Sequence, residues 1–442
     1  MNTEGSRFTW SALSEAQQRA ALQRPAARDQ RETVEQVRAI IREVKQSGDR
    51  ALRELTERLD GVRLTDFRVG DQEAADAGRA LTDAQKNAVT VAITNVSRFH
   101  AAEPSLPLRV ETAAGVACER ILRPIPAVGL YVPAGTAPLP STAIMLAVPA
   151  GLAGCPVKVL CTPPRADGRA DPAVVYAAQE CGVADIFKLG GAQAIAALAY
   201  GTESVPKVDK IFGPGNAWVT CAKTEVATDP AGAAFDMPAG PTELMVIADA
   251  AANPRAVALD LLSQAEHGAD SQVVLVTDAP ELADAVADAV QAALPALPRR
   301  PIIEQALQNS LTILVDDVPQ AIDVANAYAA EHLIIQVTNP RQYIDSIKNA
   351  GSVFLGPWTP ESVGDYCSGT NHVLPTYGYA RAYSGLSTRD FQKQISVQEL
   401  TEAGLRGLAP TVEALAELEG LDAHAEAVRV RLNPGSGSAN HE

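Results

Sequence analysis

The alternation of short apolar runs with Ala- and Gly-rich helical patterns between Arg123 and Val219 constrains this chain most. PIPAVGLYVPAG (124–135) has the texture of a buried strand running into a turn. Residues 143–153 read as a helix packed closely through Ala and Gly, and VKVLCTPP (157–164) as a strand ended by prolines. The cycle then repeats. VVYAAQECG (174–182) is a helix with a Gly stop, and ADIFKLGG (184–191) is a strand reaching a Gly-Gly turn. AQAIAALAYG (192–201) is a second Ala-rich helix, and KVDKIFGPGNAWV (207–219) brings a strand into a Gly-Pro-Gly turn. Such alternation implies a parallel sheet with helices on both faces, whose ligands bind beyond the C-terminal ends of the strands. Those ends carry Tyr131, Gly190–Gly191 with Gln193, and Gly213-Pro-Gly-Asn216. No stretch matches GxGxxG, so these glycines serve either plain turns or a dinucleotide bound without the usual fingerprint. GSGSAN (435–440) follows no strand, opens no helix, and reads as a flexible end.

After DMPAGPTE (236–243) the theme recurs: strand LMVIAD, helix 254–268, strand 271–278, a helix from about 281 to 293, strand 311–317, helix 320–332 and strand LIIQV. This is a second α/β domain. Ahead of both, residues 1–28 look like a short helix or arm. Apolar positions from Val34 to Leu59 recur at helical spacing, with a break at Gly48–Asp49. Thr82 offers an N-cap to a helix with Val89, Ala92, Ile93, Val96 and Phe99 on one face. His100 ends that helix as a surface or capping residue. The final 60 or so residues look helical and are too few for a core of their own, so they must pack on something else, such as a second subunit.

At 442 residues the chain has room for more than one domain. Its net charge of −16 argues against a nucleic-acid or anionic-membrane partner. The six cysteines include no CxxC pair, which fits a reducing compartment and no zinc ribbon. MNTEGSRFTW lacks the regions of a signal peptide, and the longest apolar run, 143–153, is broken by Pro149. A cytoplasmic protein is the expectation.

Three constellations carry chemistry. The stretch 351–379 is long, rich in Gly, Pro, Ser and Thr, and too irregular to read as helix or strand. It holds Asp365, Asn371, His372, Trp358 and several tyrosines, as befits either a site or an ordered crossover loop. Gln264 and His267 stand three apart in the last turn of one helix, so both can reach one point. Imidazole with amide or carboxylate oxygen suits zinc or manganese. Two ligands do not hold a metal; Asp365 and His424 are natural completions, and taken alone the pair reads more simply as a solvated helix end. Glu331-His332 ends another helix just before a strand. A carboxylate beside an imidazole can act as general base and proton shuttle at neutral pH, or be a plain surface pair.

Together the segments VGLYVPAGTAPLPST, GGAQAIAALAYGTESVPKVDKIFGPGNAWVT, DMPAGPTE, LLSQAEHG, AYAAEHLI and GSVFLGPWTPESVGDYCSGTNHVLPT closely resemble the histidinol dehydrogenases, over nearly the whole chain. The resemblance implies oxidation of L-histidinol to L-histidine through histidinaldehyde with two NAD+, in histidine biosynthesis. It places zinc (Zn2+) on Gln264, His267, Asp365 and His424, and the catalytic pair on Glu331 and His332. NAD contacts fall on Tyr131, Gln193 and Asn216. Substrate contacts fall on Thr242 and Glu419, together with His332 and the zinc ligands. His372 is expected to support the site without binding zinc.

The implied fold is α/β: two incomplete Rossmann-like domains with parallel-type sheets, plus small N- and C-terminal helical segments. The segments are 1–28; a first domain of 29–130 and 243–382; a second, NAD-side domain of 131–242; and 383–442. The last is exchanged in a homodimer with shared active sites, so His424 and Glu419 complete the partner's site. Two positions depart from the family pattern. Thr242 stands where the family has Ser, and Pro133-Ala134-Gly135 replaces Pro-Gly-Gly, which requires a negative φ at Ala134.

Overall fold

The structure is a computed structural model that describes residues 7–24, 30–103, 108–134 and 137–433, the side chains of 30 and 31 excepted. The tail GSGSAN and Gly135 lie outside the described residues. In chain order the strands are β1 (Arg7–Thr9), β2 (Leu108–Ala113), β3 (Val116–Pro124), β4 (Ala127–Tyr131), β5 (Val157–Thr162), β6 (Asp185–Lys188) and β7 (Lys210–Phe212). There follow β8 (Ala234–Phe235), β9 (Glu243–Ala248), β10 (Gln272–Thr277), β11 (Leu311–Leu314), β12 (His332–Gln336), β13 (Ser352–Leu355) and β14 (Gln392–Leu400).

Two parallel sheets result, one for each round of alternation. One runs β6-β5-β4-β7-β8 and the other β1-β11-β10-β9-β12-β13. Successive residues of a strand point to opposite faces, and helices cover both faces, so the strands read as unbroken apolar runs. In β9, Leu244 and Val246 enter one core while Met245 and Ile247 enter another. In β5, Val159 and Cys161 face one way and Leu160 the other. The chain divides into two compact units, Met1–Ala102 with Ile125–Phe391, and Glu103–Pro124 with Gln392–Glu442. Both parallel sheets belong to the first. The second holds the antiparallel sheet β14-β3-β2 and the helices Glu402–Glu419 and Asp422–Leu432.

The helix Gln30–Asp60 breaks where expected, with Gly48 at φ 49° and ψ −130°. Thr82 caps its helix with a reciprocal Gln85 capping box. Ala134 is not among the described non-glycine residues with positive φ. Among the described residues no helix is long and apolar enough to cross a membrane.

Several expectations are corrected. The N-terminal segment, read as helix or arm, also supplies β1, which pairs with β11 from Arg7↔Thr312 to Thr9↔Leu314. Three residues are too few to show a period. The C-terminal segment, read as helical, contains the strand β14 ahead of its helices, and residues near 300 form a further helix, Arg300–Leu307. His100 is buried (4% exposed) and Phe99 is not (55%), the reverse of their polarity. The ring of His100 meets the Phe99 ring edge-on, and its carbonyl accepts from the Thr388 hydroxyl.

Candidate active site

β9 and β12 lie side by side with His332 opposite Leu244, which brings Glu331 beside Glu243. The helix leading there, Val318–Tyr328, stops earlier than its sequence suggests. Ala329 turns left-handed (φ 59°, ψ 63°), so Glu331 occupies a bend and His332 opens β12. Neither residue is helical, because pairing with β9 and β13 captures the chain. The Glu331 carbonyl accepts from Ser352 N at 2.8 Å, and a Cβ on Gly351 would press against it.

The Glu331 carboxylate is buried and held by two donors: the Thr242 hydroxyl at 2.6 Å and the Glu243 amide at 2.8 Å, both on Oε2. Burial pushes its pKa up to about 7, against the pull of His332 and these donors. His332 is buried as well. Its Nδ1 lies 3.3 Å from the Glu243 carbonyl, to which it can only donate, and 3.7 Å from both Glu331 and Glu361. Its Nε2 lies 3.4 Å from Asp365 Oδ1. Burial opposes a charge on His332, but the surrounding carboxylates outweigh it and raise its pKa to about 10.

The stretch 351–379, expected to be irregular throughout, contains β13 and the short helix Glu361–Tyr366. That helix carries Asp365. His267 lies two residues beyond the end of the helix Pro254–Ala265, whose last turn holds Gln264. His267, Glu361 and Asp365 together can close on a metal ion. Loss of hydration lowers the pKa of His267, although part of its ring is open to solvent. Burial would raise the pKa of Asp365; the adjacent His332, His372 and His267 instead hold it below the usual carboxylate range. His372 donates from Nδ1 to the Asp365 carbonyl at 2.7 Å, and its Nε2 lies 3.2 Å from the Thr142 hydroxyl.

Glu361 escaped sequence reasoning. It is buried, its pKa is raised chiefly by burial, and it stands one helical turn before Asp365, so a Glu-x-x-x-Asp spacing was the available signal. The Gln264 amide bridges Thr242 and Glu361 in either of two orientations. In one, Nε2 donates to the Thr242 hydroxyl and the amide oxygen faces the Glu361 carboxylate. In the other, the nitrogen donates to Glu361, at 3.1 Å from Oε2, and the oxygen competes with Glu331 for the single Thr242 hydroxyl proton. The first sets oxygen against oxygen, an arrangement that a cation makes favourable. With one imidazole, two carboxylates and an amide, the residues present fit zinc.

On the other sheet, Tyr131 ends β4 and its hydroxyl accepts from Gly191 N at 3.0 Å. Gln193 Nε2 donates to Asp60 at 3.1 Å, while its Oε1 is buried without a hydrogen-bond partner. Asn216 caps the helix Ala217–Ala227. Gly213 sits at φ 125°, and a Cβ there would collide with the Tyr131 carbonyl. These turns lie at the C-terminal ends of β4, β6 and β7, where parallel sheets take their ligands. Glu419 and His424 are exposed residues of the second unit.

The sequence model of the histidinol dehydrogenase family matches residues 22–432. The histidinol dehydrogenase of Photobacterium profundum is 55% identical over 423 residues, covering 96% of this chain and 95% of its own. That of Escherichia coli is 53% identical over 424 residues, covering 96% and 97%. The crystal structure of histidinol dehydrogenase from Elizabethkingia anophelis superposes with a TM-score of 0.92 at 44% identity, over 97% of this chain and 98% of its own.

Proposed function

The chain belongs to the histidinol dehydrogenase family, and from that premise we propose that it oxidises L-histidinol to L-histidine through histidinaldehyde, with zinc and two NAD+, as a cytoplasmic homodimer with shared active sites. The observation that carries this reading is the buried Glu331 carboxylate, gripped by Thr242 and the Glu243 amide beside a His332 that faces Asp365.

Gln264, His267 and Asp365 hold the zinc, joined by His424 of a second copy; Glu361 stands against the Gln264 amide. Zinc held there would supply a Lewis acid toward the substrate, and positive charge that offsets the carboxylates holding a proton on His332. NAD+, lodged along Tyr131, Gln193 and Asn216, supplies the hydride acceptor for both oxidations. His332 takes the proton of the alcohol hydroxyl as the carbinol C–H bond gives up its hydride. Glu331 takes a proton from the water that adds to the aldehyde carbon, a task suited to a carboxylate whose pKa is raised to about 7. As the water adds, His332 returns its proton to the former carbonyl oxygen and is neutral again, so that it can take a hydroxyl proton from the hydrate as the second hydride leaves, giving the acid. Thr242 has its hydroxyl committed to Glu331, so it serves the substrate through the base it holds; Glu419 meets the substrate's polar groups.

The test is NADH formation with zinc and L-histidinol, with a sulfonated diol as the comparison alcohol. Two NADH per histidinol consumed is the expected result. One NADH, or preference for the sulfonated diol, would overturn the assignment.

A further inference from the structure

Glu243, the first residue of β9, touches both members of the catalytic pair through its main chain. Its amide donates to Glu331 Oε2 at 2.8 Å, and its carbonyl faces His332 Nδ1 at 3.3 Å. The orientation of both side chains therefore depends on where one peptide residue sits. Its own side chain is a carboxylate only 1% exposed. A buried carboxylate needs a fixed counter-charge, and here it comes from the N-terminal segment.

Arg24 meets Glu243 with two nitrogens: Nε on Oε1 and, at 2.8 Å, Nη2 on Oε2. The Tyr377 amide adds a third donor at 3.0 Å. The same Nη2 lies 2.9 Å from the Tyr328 carbonyl and 3.4 Å from that of Ala329. The guanidinium carbon stacks 4.0 Å over the Tyr328 ring. Tyr328 and Ala329 form the left-handed helix end that delivers Glu331 and His332. One guanidinium thus fastens the residue beneath the pair and the turn that brings the pair there. Arg24 is itself anchored, because the preceding segment docks through β1 on β11 and through buried Leu22.

We propose that Arg24 is a positioning residue for the Glu331–His332 pair, so that the N-terminal segment is a working part of the active site. The proposal rests on the catalytic roles assigned above. Lysine cannot replace Arg24, since a point charge offers neither the fork geometry nor the flat stack on Tyr328.

Arg24→Lys and Arg24→Ala are compared with wild type and with Arg19→Ala, whose residue is exposed on the neighbouring helix. With saturating zinc, kcat is expected to fall about 10- to 100-fold in both Arg24 variants, the scale of a displaced catalytic group. KM for L-histidinol and bound zinc per chain stay near wild-type values, because Arg24 touches no proposed metal ligand. Millimolar methylguanidine should restore kcat to Arg24→Ala and do nothing for Arg19→Ala. Unchanged kcat in folded Arg24→Lys, or kcat lost only in step with zinc, overturns the proposal. If Arg24→Ala fails to fold, Arg24→Lys carries the test. Hydrogen exchange separates this claim from the functional one. Faster exchange of residues 329–336 in Arg24→Lys, with the helix Pro254–Ala265 unchanged, supports the clamp even if wild type made no NADH. Unchanged exchange at 329–336 sinks it.

Discussion

Two neighbouring residues, Glu331 and His332, take opposite protonation preferences from one environment. Burial favours the neutral acid in Glu331, while the carboxylates around His332 favour the imidazolium. A Glu331 carboxylate near 7 is poised to activate water, whereas His332 becomes an acceptor of hydroxyl protons only when the positive charge of a bound metal offsets the carboxylates around it. Glu331→Gln is expected to slow histidinaldehyde oxidation by about 100-fold or more and to affect alcohol oxidation far less. Assaying the two half-reactions separately checks this, and equal losses would contradict it. The same shifts make a stability statement for zinc-free protein. The Glu331 pKa rises from 4.5 to about 7, so its stabilising contribution is full below 4.5 and lost as pH climbs through 7. For His332 the rise is from 6.5 to about 10, so its contribution is full below 6.5 and lost as pH climbs through 10. Both slopes share a sign, so stability of the zinc-free protein should fall from about pH 4.5 to pH 10, with His332 carrying the fall between pH 7 and pH 10. Thermal unfolding across that range measures it; rising stability would mean that His332 does not carry the extra proton.

At the level of elements, length decided what the sequence could announce. The long helices and buried strands were legible from period and apolar runs, down to the Thr82 cap and the Gly48 break. The three-residue β1 and the six-residue helix Glu361–Tyr366 were not, since neither completes enough turns or alternations to show a pattern. The helix read as far as His332 ends at Tyr328, because a strand partner outcompetes local helical propensity. The Gly48 break is a good place to probe. Its φ of 49° suits glycine, and a Cβ there would run into the Glu203 carboxylate, which accepts from Asp49 N at 2.7 Å. Gly48→Ala should destabilise the protein by about 1–3 kcal/mol, read from the denaturant midpoint, while leaving kcat near wild type.

For the whole molecule, the two parallel sheets keep separate cores, so the proposed metal side and the proposed dinucleotide side belong to different sheets. Shared active sites make a sharp claim about the assembly. Glu331→Gln and His424→Ala homodimers should each form little histidine, the former for want of the second oxidation and the latter for want of zinc. Refolded together, they should regain about a quarter of wild-type activity, since half of the randomly paired dimers hold one intact site of two. No regain would place His424 in its own chain's site or outside the site altogether.

By itself the sequence determined the α/β class, the alternation that builds two parallel sheets, and the residues Gln264, His267, Glu331, His332 and Asp365 as candidates for chemistry. Side-chain type and period are local properties, and a chain displays them without folding. Only the tertiary structure decided which of these groups meet. Glu361 joins His267 and Asp365 because a short helix turns both carboxylates toward the end of another helix. Thr242 and Glu243 grip Glu331 because β9 and β12 pair in one register. Arg24 reaches beneath them across more than two hundred residues of chain, since a buried carboxylate must find its counter-charge wherever the fold brings one near.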